Sequence, residues 1–179
     1  MKKVLTLILT LVMLLSLLCA CSEEGAEETK APDVKPLRKE VVEAYETDEK
    51  LAKEVQALFD EFDKAFETLK NSAVDDAAFL AYAEAISDAV SNFEAFDPYY
   101  DKLIESDRYP EYADMQGEYA DLGPVKFSLS SKLMGYKYSD EGSAEGCAET
   151  AFGVVNSYSE FFYGEYRLTD DDLDQLANS

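Results

Sequence analysis

Histidine is absent from the chain, and three kinds of chemistry go with it. No Ser-His-Asp triad, no Cys-His pair and no histidine-based metal site can be assembled. Cysteine is nearly as scarce, with only Cys19, Cys21 and Cys147. Basic residues are few: 16 Lys and Arg stand against 38 Asp and Glu, a formal net charge of −22. Such a surface repels nucleic acid and anionic lipid headgroups, so no nucleic-acid partner is expected and the charge is expected to keep the domain away from a negative bilayer. Glycine is rare in the first two-thirds, since seven of the eight lie at position 117 or later. No repeat of fixed period is found, which speaks against a solenoid or a propeller.

What is present begins at the N-terminus. Met1-Lys2-Lys3 is followed by fifteen uncharged, mainly apolar residues, 4–18, and then by Leu18-Cys19-Ala20-Cys21. A short basic end, an apolar core and a small residue before a cut make a secretory signal peptide. Fifteen residues fall short of the roughly 20 that a comfortable spanning helix needs. Leu18-Cys19-Ala20-Cys21 resembles the lipobox of bacterial lipoproteins, with Leu at −3, Ala at −1 and Cys21 as the modified residue. The resemblance implies that the Cys21 sulfur receives a diacylglyceryl group, that a dedicated signal peptidase cuts before it, and that acyl chains such as palmitate hold the mature protein to a membrane. Two chains meet the two-signal requirement of stable anchoring. Ser22 does not ask for inner-membrane retention, so the expected place is the extracytoplasmic face of the cell membrane, or the outer membrane where the source has two.

Removal of residues 1–20 takes Lys2 and Lys3 and no acid, so 14 basic residues face 38 acidic ones, a formal −24 on 159 residues. Cys19 leaves with the signal and Cys21 is acylated, so Cys147 has no internal partner and stability must come from packing. Residues 22–36, SEEGAEETKAPDVKP, hold almost nothing to bury and read as an acidic, flexible tether that lifts the domain off the membrane. Such a segment reaches roughly 50 Å extended and about 20 Å as a coil. Residues 37–179 are expected to form a single domain.

At Leu37 the pattern changes. Leu37, Val41, Ala44, Asp48, Leu51, Val55, Leu58, Phe62, Ala65 and Leu69 alternate in steps of four and three, with Asp48 alone breaking the apolar series. Phe59 and Phe66 widen the stripe, as suits a helix with two neighbours. Asp48 marks a break, with Thr47 as the expected cap of a second helix beginning near it. Asn71-Ser72 stops the run, and Ser72 or Asp75 is placed to cap the next helix, where Phe79, Tyr82, Ala83, Ile86, Val90, Phe93 and Phe96 share a face. Two such helices joined by a few residues predict an antiparallel hairpin over 37–96. Asp97-Pro98 ends it and opens a short helix with Pro at its first position.

Beyond this the signal weakens. Tyr109, Tyr112, Met115, Tyr119 and Leu122 suit a helix broken at Gly123-Pro124. Residues 127–134 read equally as strand or short helix. Residues 140–143 read as a loop, residues 147–166 as the last substantial helix, and residues 169–173 as a capped start that frays. The expected fold is all-α, a bundle of four or five helices built on the 37–96 hairpin with a less regular C-terminal half. The hairpin with its Asn71-Ser72 turn, and the later Glu111-Tyr112-Ala113-Asp114-Met115, are similar to small helical lipoproteins of uncharacterised function, which implies no activity.

Candidate chemistry is sparse. Cys147 would serve as a nucleophile only with a lowered pKa, and its small neighbours favour a buried structural thiol. Asp170, Asp171, Asp172 and Asp174 lack the glycine and distal glutamate of an EF-hand loop, and acids at a helix start explain them more simply. Thirty-eight acids make accidental carboxylate pairs inevitable, so a glycosidase reading gains little from them. No catalytic residue, metal or cofactor is therefore expected. Ten of the twelve tyrosines lie at 99 or later. Tyr99, Tyr100, Tyr109, Tyr112, Tyr119, Tyr136 and Tyr138 are the candidate partner surface, since tyrosine joins flat area to a polar tip. The same ring suits the margin of a core. On a strand Tyr136 and Tyr138 would share one face. The leading expectation is a non-enzymatic, membrane-tethered binding or scaffold module of the cell envelope, recognising a protein, a peptide or another envelope component. The alternative is an accessory or sensor subunit of an envelope transporter or signalling system, and an enzyme using carboxylates comes third.

Overall fold

A computed structural model describes residues 34–139 and 142–177. The signal segment, Cys19, Cys21 and most of the expected tether lie outside the described residues.

The Leu37–Leu69 stripe becomes two helices. α1, Lys39–Tyr45, buries Val41, Ala44 and Tyr45. It stops where Glu46 turns left-handed, at φ 52°. Holding a residue other than glycine there is unfavourable, and Arg108 supports the position by pairing with the Glu46 carboxylate and donating to the Glu43 carbonyl. α2, Glu49–Lys70, then buries Leu51, Val55, Leu58, Phe59, Phe62 and Leu69. Its cap is Asp48, whose carboxylate accepts the Leu51 N–H at 2.9 Å. Thr47, expected in that role, stands one residue too early to reach the first free N–H groups of a helix that begins at Glu49. The Leu51 bond, the largest cause, holds the Asp48 carboxyl below its usual range. Its contribution to the α2 start is therefore present at neutral pH and lost as pH falls through that lowered value.

α3, Asp76–Asn92, is capped by Asp75, which accepts from Ala78 N–H at 2.9 Å, and buries Tyr82, Ala83, Ile86 and Val90. α4, Asp97–Ile104, carries Pro98 in its first turn at the second position, one residue later than expected. A 3₁₀ turn, Tyr109–Glu111, leads into α5, Ala113–Tyr138.

α5 is the main departure from expectation. It runs unbroken for 26 residues through Gly123 and Pro124, and residues 127–134, read as strand or short helix, lie within it. Pro124 cannot donate to the carbonyl four residues back, a local cost of about 3 kcal/mol in a helix interior. Leu122, Leu129 and Leu133 on the two sides of it are buried on one face, so tertiary packing outweighs the local penalty. The conflict predicts that Pro124→Ala stabilises the chain. Restoring the donor and removing the clash favour the fold, the freer unfolded chain opposes it by up to about 1 kcal/mol, and a net gain of about 2 kcal/mol is expected in urea denaturation. No gain would mean that the helix is interrupted at this point.

α6, Ala144–Tyr163, starts at Ser143, whose hydroxyl accepts Gly146 N–H at 3.0 Å, and ends at Gly164 with φ 74°. It therefore begins and ends three residues before the expected 147–166. Glycine is the residue that takes this left-handed stop without strain. Tyr166 falls beyond it and is 65% exposed. α7, Asp170–Ala177, is a regular two-turn helix rather than a frayed end. Asp172 accepts from both the N–H and the hydroxyl of Thr169, each at 2.8 Å, reaching back over the helix start as one half of a capping box does.

The described residues thus contain seven α-helices, four of them long, and no strand. α3 packs against α2, α5 and α6, α5 also packs against α6, and α1 bridges α4 and α5. Aromatic rings fill the centre: Phe96, Phe161 and Phe162 lie within 5.6 Å of one another, and Phe59 meets Phe62 at 5.2 Å. The link from α6 to α7 is latched by Asn156, which accepts from Arg167 and Leu168 N–H and donates to the Leu168 carbonyl. Arg167 also forks onto Asp63 of α2 while lying over the Phe59 ring.

Candidate functional site

The seven candidate tyrosines occupy two separate regions of the fold. Tyr99 and Tyr100 on α4 and Tyr119 on α5 are half-buried against the core. There the Tyr119 ring meets Phe96 at 4.6 Å and Tyr100 at 5.0 Å. The polar tips in this region have partners: Tyr119 donates to Asp97 at 2.7 Å, and Gln116 donates to the Tyr100 oxygen at 2.7 Å. Burial pushes the Tyr119 phenol above its ordinary value, and the Asp97 bond adds to this. The hydroxyl therefore stays protonated and fixed as a donor. Tyr112 is half-buried beneath the Arg108 guanidinium, 4.8 Å from its ring, and Tyr109 lies beside it in the 3₁₀ turn, 37% exposed.

Tyr136 and Tyr138 stand far from this cluster. Seventeen residues of helix separate Tyr119 from Tyr136, about 26 Å along the axis. Because the segment is helical, Tyr136 and Tyr138 point about 200° apart instead of sharing a face. Tyr136 packs against the core, whereas Tyr138 is 78% exposed.

Tyr138 belongs to a different constellation. Phe127, Ser131, Met134 and Tyr138 follow the four-three-four spacing of one helix face. Phe127 is 73% exposed and Met134 58%. Phe127 lies two residues, about 200° round the helix, from buried Leu129. α5 is thus apolar on two opposite faces, of which the bundle covers one. Beside the uncovered face runs an open groove of about 630 Å³, between α5 and the first turn of α6, lined by Phe127, Lys132, Gly135, Ser143, Gly146 and Cys147. The charge here also differs from that of the rest of the chain. Residues 122–139 hold Lys126, Lys132 and Lys137 and no acid, bracketed in sequence by Asp121 and Asp140. Lys137 is engaged by Glu84 of α3 at 2.6 Å. Lys126 and Lys132 form no ion pair with a described residue.

The chemical candidates are placed as follows. Cys147 is 1% exposed, and burial pushes its thiol up while Lys132 pulls it down. A nucleophilic cysteine needs the reverse balance. Hydrogen bonds or cations hold the Asp48, Glu49, Glu165 and Asp172 carboxyls below their ordinary range, the opposite of what a general acid requires. Asp172, central to the Asp170–Asp174 run, is occupied by Thr169. Among the described residues no three potential ligands are grouped around one metal-sized position. No helix of the described residues is long and apolar enough to cross a membrane.

The chain matches no protein-family model, no curated protein and no solved structure.

Proposed function

We propose that the chain is a lipid-anchored, extracytoplasmic binding module of the cell envelope, non-enzymatic, which docks an envelope component on the outer face of α5. Cys21 carries the anchor and residues 22–36 form the tether. The body is a bundle of the four long helices grown on the antiparallel α2–α3 hairpin, with α1, α4 and α7 closing its ends. The observation that carries the reading is the uncovered Phe127–Met134–Tyr138 stripe in an acid-free, lysine-bearing stretch. Large apolar side chains grouped on one exposed face mark an interaction surface, and an acid-free run over residues 122–139 with three lysines gives that segment a charge of its own.

The test is photocrosslinking in the native host, with a photoreactive residue at position 134 and a control at Ala57 on the exposed side of α2. Adducts formed from 134 and absent from 57 support the reading, and equal adducts from both contradict it. The same uncovered face favours the alternative role, an accessory or sensor subunit, if the adduct is one protein that stays bound through purification.

A further inference from the structure

We infer that the component docked on α5 is the membrane surface itself, with Phe127, Met134 and Tyr138 entering the headgroup boundary and Lys126 and Lys132 resting against anionic lipid headgroups. The inference rests on the proposed Cys21 anchor, which keeps a bilayer within the reach of the tether.

The net charge of the chain opposes such a contact, but the local charge favours it. At physiological ionic strength electrostatic forces are screened over about 8 Å. A helix with its side chains is already about 10 Å across, so acids on the far side of the bundle act weakly at the α5 surface. The two lysines that touch the headgroups act at full strength, and neither is neutralised by a carboxylate of the described residues. The shape agrees with the charge. Phe127 and Tyr138 stand eleven residues apart, about 16 Å along the helix, with Met134 between them. Lys126 stands about 100° round the helix from Phe127 on one flank of the stripe, and Lys132 about 140° round on the other. An interfacial helix of this kind buries its apolar side chains, lets flanking lysines reach the headgroups along their stems, and keeps the tyrosine tip at headgroup level. Tethering removes the need for high affinity. A surface held by a chain of fifteen residues meets its target at about millimolar effective concentration, so a contact too weak to hold the free protein suffices for an anchored one. The tether therefore holds the domain down on α5 instead of lifting it away.

The experiment supplies the anchor chemically. The mature chain from residue 21, unacylated, is coupled through the Cys21 thiol to maleimide-bearing lipid vesicles; Cys147 is too buried to compete. Circular dichroism before coupling checks the helical fold. Peroxide oxidation of Met134 is then followed by mass spectrometry, with buried Met115 as the internal reference. On vesicles containing phosphatidylglycerol, Met134 should oxidise at least about fivefold more slowly than in the uncoupled chain. Lys126→Glu with Lys132→Glu should abolish that protection, while Lys50→Glu with Lys53→Glu on α2 should leave it intact. Unchanged Met134 oxidation on the vesicles overturns the inference, as does equal loss in the two charge reversals. Protection found in native membranes but not on protein-free vesicles also overturns it, in favour of a protein partner. Because the coupling is chemical, none of these outcomes depends on whether the cell acylates Cys21. Palmitate labelling of the chain in its host reads that separately.

Discussion

Phe162→Ala should destabilise the folded chain by about 4 kcal/mol in chemical denaturation, whereas Phe127→Ala should change it by about half a kcal/mol or less. The two residues share a side chain and differ in environment. Phe162 has no exposed surface and sits among Phe93, Phe96, Tyr158 and Phe161, with ring centroids 4.9–6.4 Å away. Its neighbours come from the link between α3 and α4 and from its own helix, so they cannot all close on the space that alanine would leave. The loss thus combines transfer of the ring to water with a persistent cavity. Phe127 exposes 73% of its surface and leaves no cavity when removed. A loss of about 4 kcal/mol is a large part of the 5–15 kcal/mol typical of a domain, so the Phe162 variant should be partly unfolded near its growth temperature. Equal effects at the two positions would mean that the α5 outer face is packed and that the arrangement of helices is wrong.

Cys21→Ala should abolish lipid attachment completely, because the thiol is the acyl acceptor in the proposed reaction. Labelled palmitate should fall to background, and the mature-sized species should give way to an uncleaved precursor retaining residues 1–20. Wild-type protein should partition into the detergent phase, since two acyl chains anchor far more firmly than one. Recovery of mature-sized Cys21→Ala protein that only detergent can extract from membranes would falsify the lipoprotein reading.

The N-terminal half of the fold is legible in the sequence because most of its signals agree with one another. The four-and-three spacing from Leu37 to Leu69 names eight apolar residues that the fold buries, with Ala65 half-buried and Asp48 exposed at the break between two helices. Asp75, one of the two caps the sequence offers, starts α3, and Pro98 falls in the first turn of α4 one residue later than its spacing suggests. At Asp48 two adjacent residues were competent caps. The register of Leu51, set by the buried face, decides between them, and a window of a few residues does not contain that information.

α5 departs from its local sequence signals for a different reason. Gly123-Pro124 is a strong local breaker, and the force that overrides it comes from α3 and α6, remote in sequence. Its apolar residues also lie on both faces of the helix, so no single stripe stands out: Leu122, Leu129 and Leu133 turn inward while Phe127, Met134 and Tyr138 turn outward. The tyrosine surface expected over residues 99–138 divides for the same reason. Crowding of tyrosines along the chain does not bring them together in space, because one continuous helix carries Tyr119 and Tyr136 to separate regions. A signal for the outer face was nonetheless present, in the absence of any acid from 122 to 139 in a chain of 38 acids. The Asn156 latch on Arg167 and Leu168 had no such signal, since its geometry exists only once α6 has ended at Gly164.

The central claim is that the outer face of α5 is covered when the protein is in place. The direct measurement is oxidation of Met134 relative to Met115 in native membranes, compared with the same ratio in the purified chain after delipidation. Met134 is 58% exposed in the isolated fold and Met115 9%, so Met134 should oxidise much the faster in the purified chain. In native membranes that excess should fall several-fold, and Tyr138 on the same face should lose hydroxyl-radical labelling with it. An unchanged ratio, with Tyr138 labelled as strongly in the membrane as in solution, would contradict the claim.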